Sequence, residues 1–174
     1  MSSVDPTAST AAPKTYLIYA DGACSANGKA YARASGSFAV YVVDTYEEGK
    51  DYHYKLSRTQ PLYHEARFDV PVIGGRPTNN MAEAQTLYSA LIWACENGLL
   101  NNPGNVVHLC MDSLLVLNQF TGLYACKNSQ LRDVYIKIYD LLRNKTEEVG
   151  YDVEKLIHVH WISGDTMKAS VICH

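Results

Sequence analysis

Hydrophobic and polar positions along the chain predict five strands and three helices. Apolar or alternating runs, typical of strands, cover residues 15–20, 35–44, 50–58, 105–111 and 155–162. The period changes at residue 80, where Leu87, Ala90, Leu91 and Ala94 fall on one helical stripe. Further helices are predicted over 113–120 and 129–145. The segment 44–49 is predicted to be a hairpin, and 59–77, with three prolines and a Gly-Gly pair, a long loop.

The order of these elements predicts an α/β fold with one mixed sheet. Three antiparallel strands come first, and two more strands follow, separated by helices. The long connection before the fourth strand allows it to lie parallel to the first. We therefore expect a five-stranded mixed sheet flanked by helices, with the carboxyl ends of the first and fourth strands side by side.

Composition limits the class of protein without identifying it. A chain of 174 residues is enough for one domain, predicted over 15–174 after a polar, disordered tail over 1–14. We expect no membrane segment and no secretory signal, and the five cysteines lack paired spacing, which indicates reduced thiols. These features favour an intracellular location, in the cytoplasm rather than the nucleus, and we expect a monomer. The net charge of −3 means that any nucleic-acid binding is local.

Acidic residues stand where apolar patterns end or face inward. Asp21 follows the first apolar run, Asp112 follows the fourth, and Glu83 lies on the apolar stripe of the first helix. Converging carboxylates repel each other unless cations lie between them, and oxygen ligands suit Mg²⁺ or Mn²⁺. Two such ions can hold a phosphodiester, so the residues point to metal-assisted phosphoryl chemistry. The simpler interpretation of Glu83 is a first-turn glutamate favoured by the helix dipole.

Several short motifs resemble the type 1 ribonuclease H family. "DGACSANG" is similar to its D-G-[SA]-C-x-x-N-[PG] turn, "TNNMAE" to its T-N-N-x-x-E helix start, and "MDS" to its T-D-S. "CKNSQLRDVY" resembles the K-N-x-x-L-R-x-x-Y segment of bacterial members. The resemblance spans residues 16–174, and these motifs occur in the family's order.

The resemblance implies a ribonuclease H fold and an endonuclease that hydrolyses the RNA strand of RNA–DNA hybrids. Its products would carry 5′-phosphate and 3′-hydroxyl ends. Asp21, Glu83 and Asp112 would bind two Mg²⁺ ions, with Mn²⁺ able to substitute. Substrate contacts would come from six polar residues: Cys24, Asn27, Thr78, Asn79, Asn80 and Ser113.

The chain departs from the family at the fourth active-site position. The family usually has an acid there, followed by a closing helix, whereas this chain ends at "HWISGDTMKASVICH". Some members have a histidine in an M-x-x-x-[IL]-G-H ending, so the resemblance assigns His174 as the fourth catalytic and metal-binding residue. Asp165, in a predicted "SGDT" turn, is the competing candidate. A frayed, functionless His174 is the third alternative.

The sequence allows alternative roles for several other residues and alternative functions for the protein. His158 and His160 form an H-x-H pair that suits zinc only with a third ligand nearby, and His108 is placed elsewhere. Trp93 and Trp161 are expected in the core. The 59–77 segment either contacts substrate or covers a helix. The alternative functions are a catalytically weak hybrid-binding module and a nuclease of the same fold acting on another nucleic acid.

Overall fold

The computed structural model describes residues 11–25, 33–71 and 78–170, with side chains as far as residue 168. Its strands are β1 (Thr15–Ser25), β2 (Arg33–Val43), β3 (His64–Val70), β4 (Val106–Met111) and β5 (Ile157–Trp161). Its helices are α1 (Lys50–Thr59), α2 (Asn79–Glu96), α3 (Leu114–Phe120), α4 (Ser129–Val149) and α5 (Gly164–Ser170). A short 3₁₀ helix, Val153–Leu156, precedes β5.

The strands form one mixed sheet in the order β3-β2-β1-β4-β5. β2 is antiparallel to β1 and to β3, whereas β4 runs parallel to β1 and to β5. The predicted α/β fold class and the five-stranded mixed sheet are therefore confirmed. Because β1, β4 and β5 are parallel, their carboxyl ends lie at one edge of the sheet.

The predicted third strand, residues 50–58, is wrong: this segment is helix α1. His53 and Leu56 are three positions apart, which places them on the same face of a helix, and both are buried. Asp51 in the first turn and Arg58 in the last complement the helix dipole. The preceding 44–49 segment connects β2 to this helix, so the predicted hairpin is wrong as well.

The third strand comes instead from within the predicted 59–77 loop. β3 shows the alternation of a half-exposed strand, with Ala66, Phe68 and Val70 turned inward and the charged residues between them exposed. Pro61 and Pro71 lie outside the strand rather than interrupting it. The Gly-Gly pair and Arg76 of this segment are outside the described residues.

Apolar residues cover both faces of the sheet, each with its own helices. On the first face, Ile18 and Leu109 pack with Leu87 and Leu91 of α2 and Ile138 of α4. On the second face, Tyr19 and Tyr41 pack with Leu56 of α1 and Met167 of α5. The short helix α5, which the pattern did not predict, thus pairs with α1 in covering the second face.

The remaining predicted elements agree with the structure to within a few residues. In the described part of the chain, no helix has the length and hydrophobicity needed to cross a membrane. Residues 1–10 of the predicted tail are outside the described residues. At residue 14, the Lys14 N–H donates to Asn105 Oδ1 and the Lys14 carbonyl accepts from Val106 N.

Candidate metal centre

Three elements bring the carboxylates together at one edge of the sheet. Asp112 follows the last residue of β4, and Asp21 lies in β1, two residues after the last position paired with β4. The first strand extends to Ser25, so Asp21 lies within β1 rather than at its predicted end. Glu83 lies in the second turn of α2, whose stripe faces the sheet as predicted. The local sequence pattern therefore sets the place of each carboxylate in its strand or helix. The parallel pairing of β1 with β4 brings Asp21 and Asp112 together.

Asp21, Glu83 and Asp112 each offer a carboxylate oxygen, and these oxygens all lie within 4.8 Å of one another. Asp21 and Asp112 are partly exposed, whereas Glu83 is only 7% exposed. Among the described residues, this is the one group of at least three potential metal ligands that meets this distance. The site is therefore open to solvent on the aspartate side and closed behind the glutamate.

The electrostatics of Glu83 are those of a buried acid beside two others. Burial, followed by the charges of Asp112 and Asp21, raises the pKa of Glu83 to about 9, and the hydrogen bond from the Gly22 backbone only partly opposes this. Glu83 Oε2 is buried and has no hydrogen-bond partner among the described residues. A buried carboxylate oxygen without a donor is unfavourable, and a cation would remove that cost.

The donor set fits a divalent cation. Three carboxylates supply only oxygen ligands, which is what Mg²⁺ and Mn²⁺ prefer, and the two partly exposed aspartates leave room for water. A cation there would return Glu83 to its charged form and satisfy its unpartnered oxygen. The cluster is therefore compatible with divalent metal binding.

The predicted substrate residues of α2 lie at its first turn. The Thr78 hydroxyl caps the helix by accepting from Met81 N at 3.2 Å, and Asn79 Oδ1 accepts from Cys24 N at 3.0 Å. That second bond ties the end of β1 to the start of α2, beside the carboxylates. Asn80 is exposed in the same turn.

Of the other predicted substrate residues, Ser113 lies in the described part of the chain. Ser113 directly follows Asp112 and caps α3, where its hydroxyl accepts from Val116 N at 3.2 Å. Asn27 is outside the described residues. A capping role for Thr78 and Ser113 leaves their hydroxyl hydrogens available to a ligand.

The two residues predicted for the fourth position are His174 and Asp165. His174 is outside the described residues. Asp165 is exposed in the first turn of α5 rather than in the predicted turn, and it is not part of the carboxylate cluster. At the neighbouring residue, a Cβ atom on Gly164 would lie 3.4 Å from Asp112 Oδ2. The start of α5 thus borders the site.

Trp161, which the sequence pattern predicts in the core, is 51% exposed. Its indole Nε1–H donates to the main-chain oxygen of Asp112 at 3.1 Å. The alternation along β5 gave no signal of this exposure, because Trp161 falls on the same side of the strand as Ile157 and Val159, which pack against the first-face core.

The structure also places His108 beside the H-x-H pair, which corrects the expectation that it lies elsewhere. His108 Nδ1 and His160 Nε2 are hydrogen bonded at 2.8 Å, and the Tyr46 ring stacks on both imidazoles at 4.4 and 4.2 Å. Glu48 Oε1 lies 3.2 Å from His160 Nδ1. We name His108, His160, Tyr46 and Glu48 the histidine cluster. It lies on the second face of the sheet, whereas the carboxylates lie at its edge.

Comparison with known proteins places this architecture in the ribonuclease H fold. No family model matches the sequence, and no curated protein matches it. Solved structures do match. RNase H1 of the halophilic archaeon Halobacterium salinarum has a TM-score of 0.62 at 22% identity, over 90% of this chain and 91% of that chain.

Two further solved structures give the same result. The N-terminal RNase H domain of Rv2228c from Mycobacterium tuberculosis has a TM-score of 0.62 at 21% identity, over 90% of this chain and 88% of that chain. LC11-RNase H1, solved in complex with an RNA/DNA hybrid, has a TM-score of 0.60 at 24% identity, over 89% of this chain and 90% of that chain. At these identities the similarity establishes the fold.

Proposed function

We propose that this protein is a divalent-metal-dependent ribonuclease H that cleaves the RNA strand of RNA–DNA hybrids. One observation carries the proposal: three carboxylates from β1, α2 and β4 converge within 4.8 Å at one edge of a ribonuclease H fold. Three of the motifs that resemble type 1 ribonuclease H supply these carboxylates: Asp21 from "DGACSANG", Glu83 from "TNNMAE" and Asp112 from "MDS". A structural neighbour solved with an RNA/DNA hybrid supports the choice of substrate.

The cation is proposed to be Mg²⁺, two ions per site, with Mn²⁺ as a substitute. Asp21, Glu83 and Asp112 would hold the ions, which would activate the attacking water and stabilise the leaving oxygen, giving 5′-phosphate and 3′-hydroxyl ends. The buried Glu83 would orient the site from behind, because helix α2 fixes its position.

The choice of RNA over DNA is proposed to depend on the first turn of α2. Side-chain amides both donate and accept hydrogen bonds, so Asn79 and Asn80 suit the 2′-hydroxyls displayed in the minor groove of a hybrid. The Cys24–Asn79 hydrogen bond holds one of these amides at the end of β1. Thr78, Cys24, Asn27 and Ser113 are proposed as further contacts to the hybrid.

The test is a cleavage assay on four substrates: an RNA–DNA hybrid, double-stranded RNA, double-stranded DNA and single-stranded RNA. We expect cleavage of the hybrid alone, only with Mg²⁺ or Mn²⁺, and none by an Asp112→Asn variant. The matched control is Asp133→Asn, which changes an exposed carboxylate on α4. Cleavage of double-stranded DNA would favour the nuclease of other specificity. Tight hybrid binding without cleavage would favour the binding module.

The fourth position is proposed to be His174, with Asp165 as the alternative. Under saturating Mg²⁺, His174→Ala should lower turnover and leave hybrid binding unchanged, and Asp165→Ala should change neither. Because three carboxylates would still hold the ions, the loss should be smaller than for Asp21→Asn. If turnover falls in Asp165→Ala and not in His174→Ala, then the assignment of His174 is wrong.

A further inference from the structure

Trp161 occupies the same edge of the sheet as the carboxylates. It is the last residue of β5 and pairs in register with Met111, the residue before Asp112. Its Nε1–H donates to the Asp112 main-chain oxygen at 3.1 Å, which fixes the orientation of the indole. About half of the residue, 51%, stays exposed. A rigidly held aromatic ring therefore faces solvent next to a proposed metal ligand.

The core does not require this aromatic ring. The residues that β5 and its continuation contribute to packing are Ile157, Val159 and Ile162. Leaving a large apolar surface in water forgoes the stabilisation that its burial would give. Leu114 and Leu115, which follow Asp112 and Ser113, are also exposed, at 49% and 36%. Large apolar side chains thus flank the carboxylates, as is typical of a binding site.

The order of the strands sets the distance from Trp161 to the metal centre. Cys24 and Asn79 lie on the β1 side, Asp112 directly follows β4, and Trp161 ends β5. Neighbouring strands are about 4.8 Å apart, the same order as the rise of about 3.4 Å per nucleotide along one strand of a duplex. A strand that crosses this edge with its phosphodiester at the carboxylates would place an adjacent nucleotide against Trp161.

We propose that Trp161 is a substrate-contact residue that packs its indole face against the ribose of the nucleotide adjacent to the cleaved phosphodiester. The inference rests on the proposed function and deepens it. Bases within a hybrid stay stacked and paired, so the sugar in the wide, shallow minor groove is the surface that the ring reaches. The indole N–H has a second role, positioning Asp112 through its main-chain oxygen.

The contact can be observed directly because the chain has two tryptophans, Trp93 and Trp161. In a Trp93→Phe, Glu83→Gln variant, Trp161 is the one remaining tryptophan and the hybrid is not cleaved. Its emission is recorded while an RNA–DNA hybrid is added, and anisotropy of a labelled hybrid in the same samples measures binding independently. We expect the emission to change and to saturate at the same hybrid concentration as the anisotropy.

Two substitutions separate the roles of the ring and of the N–H. Trp161→Ala should raise the Kd for the hybrid about 3- to 30-fold, because the apolar contact between the indole face and the ribose is lost. Trp161→Phe keeps a ring but loses the donor to Asp112, so Kd should stay within about 3-fold while kcat falls about 2- to 10-fold. The control is Trp93→Phe, since Trp93 stacks on His64 away from the carboxylates. It should leave both constants unchanged.

The outcomes distinguish this inference from the proposed function. If the hybrid binds by anisotropy but Trp161 emission stays constant, or if Trp161→Ala leaves Kd unchanged, the contact is refuted and the ribonuclease proposal stands. If the wild-type protein shows no hybrid binding, the proposed function fails, and this inference fails with it. Circular dichroism on each variant establishes that a change in Kd does not come from unfolding.

Discussion

Gly22 of β1 lies directly against the second turn of α2 at Glu83. The Gly22 backbone hydrogen bonds to the Glu83 carboxyl, and a Cβ atom at Gly22 would come within 2.5 Å of Glu83 N and of Ala82 O. Real Cβ atoms essentially never approach backbone this closely. The absence of a side chain at Gly22 therefore allows the helix to bring Glu83 to Asp21.

Gly22→Ala should destabilise the protein and impair the site together. Overpacking of this kind costs about 1–3 kcal/mol, and more where the obstacle is backbone. Urea unfolding measures the free energy, and hybrid cleavage measures the site. The matched control is Ala23→Ser at the exposed neighbouring position, which should change stability by no more than about 0.5 kcal/mol. Equal stability of the two variants would contradict the close packing.

Asp21→Asn and Asp112→Asn should each abolish hybrid cleavage while the fold persists. Without metal, each variant should be more stable than the wild type by on the order of 1 kcal/mol, because one of the mutually repelling carboxylates is gone. Thermal unfolding in EDTA and in Mg²⁺ checks this: Mg²⁺ should raise the Tm of the wild type and have less effect on either variant. Near-normal turnover in either variant would remove the basis of the metal-site assignment.

Asn80→Ala should weaken hybrid binding without affecting stability, since Asn80 is exposed in the first turn of α2. Asn79→Ala should affect both, because its amide oxygen accepts from Cys24 N. We expect the double substitution to cost roughly 1–3 kcal/mol of binding free energy. Anisotropy measures the Kd of each variant for an RNA–DNA hybrid and for double-stranded DNA. The control is Asn144→Ala, at an exposed position of α4. Unchanged affinity in the double variant would mean that these residues serve only the local structure.

The histidine cluster should make the protein sensitive to acid. Burial lowers the pKa of His108 to about 4 and also lowers the pKa of His160, although Glu48 opposes the shift at His160. A histidine whose pKa is lower in the folded state than its ordinary 6.5 stabilises the fold fully above pH 6.5, and this contribution is lost as the pH falls towards 4. The free energy of unfolding should fall by about 1–3 kcal/mol between pH 7.5 and pH 5, as measured by chemical unfolding at each pH.

His108→Gln provides the comparison for that prediction, since glutamine keeps a polar side chain but does not titrate. The variant should lose less stability than the wild type between pH 7.5 and pH 5. The charged and titratable groups around His108 are His158 and His160 on β5, Glu48 and Tyr46 before α1, His53 of α1, and Cys110 of β4. The same loss of stability in both proteins would assign the acid sensitivity to other groups.

The sequence by itself determined the features that depend on neighbouring positions. The alternation in β2, the apolar run of β4 and the helical stripe of α2 each follow from a period of about two or 3.6 residues, so they could be predicted. Asp21, Glu83 and Asp112 could be selected because each stands at a fixed place in such a pattern. The parallel order of β1 and β4 then implied that they converge.

The tertiary structure decided the features that depend on distant parts of the chain. Residues 50–58 alternate like a strand, but the second face of the sheet needed cover, and burial of His53 and Leu56 against it favours a helix over local propensity. The raised pKa of Glu83, the exposed ring of Trp161 on Asp112 and the pairing of His108 with His160 arise between β1, α2, β4 and β5. Burial and charge proximity are properties of the packed sheet, because residues far apart in sequence create them.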